Sequence, residues 1–197
     1  MARKILIGVA VLIVLLVLVI VTRPSTFHIE RSTTMAAPPE SAFAQVNDLH
    51  AWSAWSPWEK LDPQMKKSFE GPPAGVGAKY AWVGNDQVGE GRMTIEKSEK
   101  PSTVGIKLEF LKPFESTSAT TFTFAPAPQG SKVTWAMDGE NNFMAKAFSL
   151  VMDMDKMIGP DFEKGLAAMK TAAETAPKPA SAAPAATPAQ PAAPASP

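Results

Sequence analysis

Between Tyr80 and Met137 the large apolar residues recur at alternate positions, and between Phe143 and Met169 they recur every third or fourth position. A period of two marks strands with one buried face, and a period near 3.6 marks an amphipathic helix. The alternating set is Tyr80 and Trp82; Met93 and Ile95; Val104, Ile106, Leu108 and Phe110; Phe122 and Phe124; Val133, Trp135 and Met137. Such a series predicts an antiparallel sheet with a single apolar face, which must be covered. The cover follows in the chain: Phe143, Ala147, Leu150, Val151, Met154, Met157, Ile158, Phe162, Leu166 and Met169 fall on one stripe. One long helix over Asn142 to Glu174 is predicted, with a kink or restart at "MIGPDFEKG", where Pro160 cannot donate to the carbonyl of Lys156.

Upstream, "TFHIERSTTM" alternates Phe27, Ile29 and Met35 with polar residues and predicts a first strand. "AAPPESAFAQVND" then places prolines at a helix start, with Phe43 and Val46 three apart. Six of the twelve glycines lie between Gly71 and Gly91, where Gly84-Asn85-Asp86 predicts a hairpin turn.

Three of the five tryptophans share "AWSAWSPW". Residues three apart eclipse on a 3₁₀ turn, so Trp52, Trp55 and Trp58 can share one face. Ser56-Pro57 should end that turn and leave Trp58 in the exit loop, because the residue before proline is driven out of the α region. The rings either plug the end of the sheet or line a pocket mouth, and one ring can do both.

The two ends of the chain read differently. Arg3 and Lys4 precede an uncharged run from Ile5 to Val21, about 25 Å as helix and enough for a thin bilayer. "VIVTRPST" carries no small-residue cleavage motif, so an uncleaved anchor is expected rather than a removed signal peptide. Positive charge ahead of the run predicts a cytoplasmic N-terminus and a domain on the outer, periplasmic side of the inner membrane. At the other end "PKPASAAPAATPAQPAAPASP" holds seven prolines and nine alanines, which predicts a disordered tail acting as a spacer or, alternatively, as a proline-rich ligand. The expected organisation is an anchor over 1–24, one domain over 25–175 and a tail over 176–197.

Composition closes several routes. Lys+Arg and Asp+Glu both number 19, so no basic excess points to nucleic acid. Without cysteine there is no thiolate nucleophile, disulfide or cysteine-ligated metal. Serine hydrolysis lacks its G-x-S-x-G elbow, and His28 and His50 are the only imidazoles. "GPPAGVGAK" is out of register for a phosphate loop. Asp153 and Asp155 in "DMD" lie two apart on a helix and point to different sides, as a solvated pair rather than a metal site. Strand alternation turns Glu109 away from the Leu108 and Phe110 face, and Glu90 and Arg92 away from Met93 and Ile95. Methionines 144, 152, 154, 157 and 169 crowd the last helix, where they either fill a core or form a pliable ligand surface.

The order strand, short helices, strand series and long final helix resembles the α+β helix-grip fold of the START-like superfamily, also called SRPBCC or Bet v 1-like. "APPESAFAQVNDLHAWSAWSPW", "GVGAKYAWVGN", "GEGRMTI", "LEFLKPFES" and "VTWAMDGENNF" resemble its polyketide cyclase/dehydratase and lipid-transport branch, in a membrane-anchored bacterial form. The resemblance implies a hydrophobic cavity between a curved sheet and the final helix. Its candidate lining here is Trp52, Trp55, Trp58, Tyr80, Trp82, Met93, Ile106, Leu108, Phe110, Phe122, Phe124, Trp135, Leu150, Met154 and Ile158. It implies an apolar, lipid-like partner and no cofactor or metal, and it carries over no catalytic residues. Three functions stay open: a membrane-tethered binding module, a cyclase or dehydratase enzyme, and an interaction protein without a ligand.

Overall fold

The computed structural model describes residues 1–176, and its sheet has seven strands. They are β1 (Thr26–Met35), β2 (Lys66–Glu70), β3 (Lys79–Val83), β4 (Glu90–Glu99), β5 (Thr103–Lys112), β6 (Ser116–Ala127) and β7 (Gly130–Glu140). All neighbours are antiparallel, in the order β1-β7-β6-β5-β4-β3-β2. Register puts the predicted apolar residues opposite one another: Met93 faces Leu108, Ile95 faces Ile106, Val104 faces Phe122, and Phe122 faces Trp135. Strand β2 was not signalled by alternation. It is the outermost strand, every residue in it is exposed, and its lysines blunt a free edge.

The helices are α1 (Ala2–Val21), α2 (Pro39–Asn47), α3 (Phe143–Phe148) and α4 (Met154–Thr175). Two 3₁₀ turns, Leu49–Ala54 and Pro57–Lys60, follow α2. Trp58 therefore sits in a second turn opened by Pro57, not in an exit loop, because proline is favoured at the first position of a helical turn. α1 has 20 residues, about 30 Å, long and apolar enough to cross a bilayer. The proline-rich segment lies outside the described residues.

The single long helix of the sequence reading is two helices, and the break lies before "MIGP" rather than at it. Asp153 restarts the helix as its N-cap, with Oδ1 accepting from the backbone N–H of Asp155 at 3.1 Å and of Lys156 at 3.4 Å. The helix then runs on through Pro160. The "DMD" carboxylates are thus structural: Asp153 caps α4, and Asp155 accepts two 2.8 Å hydrogen bonds from Arg31 of β1. Arg31 Nε also donates to Glu163 at 2.9 Å, which fastens the first strand to the last helix. The guanidinium crosses α4 where Gly159 leaves room; a Cβ there would collide with it. These bonds hold the Asp155 carboxyl below its ordinary range.

Helix α4 buries Phe162, Leu166, Met169 and Ala173, spaced by three or four, against the concave face of the sheet. Phe43 and Val46 of α2 complete this core, where Phe43 meets Phe124 edge to face at 5.7 Å.

Candidate ligand cavity

The inward row of β6 changes size along the strand: Phe124 and Phe122 are followed by Thr120 and Ser118, all buried. Small side chains at the second half of that row leave space that the phenylalanines fill at the first. A cavity of about 200 Å³ opens there, bounded by Trp52, Ser56, Trp58, Glu59, Met65, Tyr80, Trp82, Gln87, Val88, Met93, Leu108, Phe110, Thr120, Trp135, Met137, Ile158, Asp161 and Phe162. Beside it runs a groove of about 530 Å³ between α3, the start of α4 and the β5–β6 end, walled by Phe114, Phe148, Met144, Met152, Met154 and Met157 among others. Phe110, Met137 and Ile158 belong to both walls, so the two spaces adjoin.

Trp135 forms the floor. Its ring is stacked between Phe162, 4.0 Å away and nearly parallel, and Phe122 at 4.8 Å, while Trp52, Trp55 and Trp58 meet it edge-on. Gly165 of α4 permits this approach: a Cβ there would lie 2.8 Å from Cζ3 of Trp135 and 3.2 Å from Pro57. Trp52 and Trp55 are locked in turn, donating from Nε1 to the carbonyls of Val46 at 3.1 Å and Gln45 at 3.0 Å.

The polar part of the wall is acidic. Tyr80 donates its hydroxyl to Glu59 Oε1 at 2.9 Å, and Lys67 pairs with Glu59 Oε2. Burial, then the Glu59 carboxylate, raises the Tyr80 phenol above its ordinary value. Glu109 lies on the outer face, where hydrogen bonds from Arg92 and then Lys107 hold its carboxyl down to about 2. A wider hollow of about 1040 Å³ passes His28, Glu96, Lys107 and Asp138. His28 and Asp138 there are more than half exposed, so this is open polar surface rather than a ligand cavity.

The profile of the family described as polyketide cyclase / dehydrase and lipid transport matches residues 26–174. The chain belongs to that family. Among solved structures it resembles protein CV1439 from Chromobacterium violaceum, with TM-score 0.52 and 16% identity over 75% of this chain and 96% of that one. It also resembles Ara h 8.0201, with TM-score 0.53 and 14% identity over 77% and 99%. The di-domain ARO/CYC StfQ from the steffimycin biosynthetic pathway gives TM-score 0.56 and 11% identity over 76% of this chain and 51% of that one. At these identities the likeness establishes the shared helix-grip fold. No curated protein matches the sequence.

Within this family fold, the structure gathers nine of the sequence candidates around the cavity: Trp52, Trp58, Tyr80, Trp82, Met93, Leu108, Phe110, Trp135 and Ile158. Met154 lies on the groove, which also takes in Phe110 and Ile158. Trp55, Phe122 and Phe124 lie on the same face of the core, but at its filled end and outside both linings, and Ile106, opposite Thr120, is buried and outside both linings as well. Leu150 lies outside both as well, in the turn between α3 and α4 where the helix was expected to be continuous. Thr120, Glu59 and Asp161 line the cavity without being among the sequence candidates. The alternation of "STSATTFTF" carries the signal for Thr120, since its even-numbered residues run Ser118, Thr120, Phe122, Phe124 on one face. Glu59 and Asp161 enter from a turn and from α4, and strand period says nothing about either.

Proposed function

We propose that the chain is a membrane-tethered binding protein for an apolar, lipid-like small molecule held between the sheet and α4. The observation that carries this reading is an apolar cavity that adjoins the methionine-rich groove, with Phe110, Met137 and Ile158 in the walls of both. Buried apolar surface contributes roughly 25 cal/mol per Å² removed from water, so such a space favours an apolar occupant. Methionine walls suit ligands of varied shape.

The tether is α1, whose side chains from Ile5 to Val19 are exposed apart from the protein core. α3 packs beside α1, and Phe143, Met144 and Phe148 on it are exposed, so the groove mouth lies next to the anchor. Arg3 and Lys4 favour a cytoplasmic N-terminus and so support a domain on the periplasmic side. A binding role is preferred to cyclase or dehydratase chemistry because both oxygens of Glu59 are engaged, by Tyr80 and by Lys67.

The test is mass spectrometry of small molecules extracted from the full chain purified in lipid nanodiscs, beside the Phe110→Trp, Met154→Trp double variant. One apolar species enriched with the wild type and depleted with the folded variant is expected. Identical extracts from both would reject the cavity as a binding site.

A further inference from the structure

Beyond α1, and among the described residues, exposed large apolar side chains concentrate between Leu111 and Met157; elsewhere there are four, Leu61, Phe69, Val76 and Val83. Five of the concentrated set, Phe114, Met144, Phe148, Met152 and Met157, are 46–67% exposed and wall the same groove. They come from the β5–β6 turn, α3, the turn after it and α4, so separate parts of the chain converge on one apolar rim. A folded protein in water rarely leaves such a patch bare, because its contact with water is unfavourable.

The depth of this rim follows from α1. The uncharged run from Ile5 to Val21 reaches about 25 Å as helix, less than the ~30 Å hydrocarbon core of a typical bilayer. No turn of that run can be spared to stand in water, and a short run draws its flanks towards the membrane. Yet the end of the run is covered by the domain: Ile20, in the last turn, is the one buried side chain of α1, whereas Ile5 to Val19 are exposed. The element packed beside α1 is α3. With α1 across a bilayer, the domain therefore meets its anchor inside the apolar run, at the hydrocarbon boundary, and α3 stands at that depth.

The groove mouth is two-sided. α3 and α4 give it an apolar wall, and Glu115 to Thr117 with Glu140 to Asn142 give it a polar one. Head groups over acyl chains offer the same two chemistries within a short depth.

We propose that the rim around Phe114, Met144 and Phe148 is embedded in the bilayer that holds α1, about 5–10 Å into the boundary between head groups and acyl chains, so that the groove opens into lipid and not into water. An apolar molecule then passes between leaflet and groove without crossing the aqueous phase. The embedded rim presupposes the membrane tether proposed above, and it gives the tethered domain a lipid contact of its own.

The chain has no cysteine, so a single introduced cysteine carries a nitroxide label without background. The full chain is placed in phosphatidylcholine nanodiscs with one label, at Phe114→Cys, Met144→Cys, Leu12→Cys or Val76→Cys. Collision of each nitroxide with oxygen, which concentrates in lipid, is compared with its collision with a water-soluble nickel chelate. Leu12 lies midway along α1 and reports the tether. Val76 is exposed at the opposite end of the sheet, in the loop whose Gly75 lies near Ser98. The oxygen-to-nickel ratio at Phe114 and Met144 should be several-fold above that at Val76 and below that at Leu12. All four sites are exposed, so the labels leave the core intact, and Phe148→Cys repeats the α3 reading in a second variant. A water-like ratio at either rim element, with Leu12 lipid-like, overturns the embedded rim and leaves the tether standing. Rim labels shielded from both reagents overturn it too, because protein, such as a second copy, would then cover the rim. A water-like Leu12 overturns the tether and the rim together.

Discussion

The two ends of the space between the sheet and α4 are made from the same kinds of residue and end in different states. At the filled end Trp55, Phe122, Val133, Leu166 and Met169 are almost wholly buried, and Trp55 meets Phe122 edge-on at 6.0 Å. At the open end Leu108, Phe110, Met154 and Ile158 are only half-buried, and Ser118 and Thr120 stand where the filled end has phenylalanine. Both ends are mainly apolar, so apolar character alone does not separate them. Side-chain volume on one strand does, together with the break at Ser149 to Asp153 that ends α3 and lets α4 begin again. A cavity in this fold is therefore a local decision about size, taken without weakening the remainder of the core.

That contrast can be broken most directly at its filled end. Trp55→Ala removes a fully buried ring and its bond to Gln45, and should destabilise the protein by about 3–5 kcal/mol in denaturant unfolding. A midpoint near wild type would mean that the two ends are equally loose. A smaller effect is expected at the boundary. Gly165→Ala forces a Cβ to within 2.8 Å of Trp135, and overpacking of this kind should cost about 1–3 kcal/mol while displacing the cavity floor. An alanine variant as stable as wild type would show that the floor shifts freely and that α4 is not seated there.

The smallest effect sharpens the picture of the open end, and it leaves neutral-pH stability untouched. Tyr80 is the only tyrosine, so alkaline ultraviolet absorbance reads it alone. Its folded pKa is raised, first by burial and then by Glu59, so its stabilising contribution is fully present below the ordinary value of about 10 and is lost as pH rises through the folded value. The phenol should still be mostly protonated just above pH ~10 while the fold persists, whereas half-ionisation at or below ~10 would show that water reaches the wall freely.

The sheet and its cover were legible because each rests on a repeat: Met93, Leu108, Ile106 and Trp135 reveal their face through their spacing alone. Where a residue falls along that face was not legible. Ile106 and Phe122 share the face of Leu108 and Trp135, yet the position of α4 above them decides which ones meet open space, and that is a tertiary fact. Strand β2 escaped notice because an exposed edge strand has no apolar row to display. Asp153 escaped as a cap because the helix pattern runs straight past it, and a capping role becomes readable only once a helix start is known.

Only Thr22 to Ser25 separate α1 from β1, a span of at most ~14 Å even when fully extended. Those residues are also held: Asn141 donates from its backbone N–H to the carbonyl of Ser25 at 2.8 Å and from Nδ2 to that of Pro24 at 3.2 Å, and Lys146 Nζ reaches Ser25 Oγ at 2.9 Å. The connection is a shank rather than a leash, so the domain has little freedom to swivel or drift away from α1. With α1 in a bilayer, the groove mouth would keep one height and one heading, and any molecule exchanging with it would have to arrive along that heading.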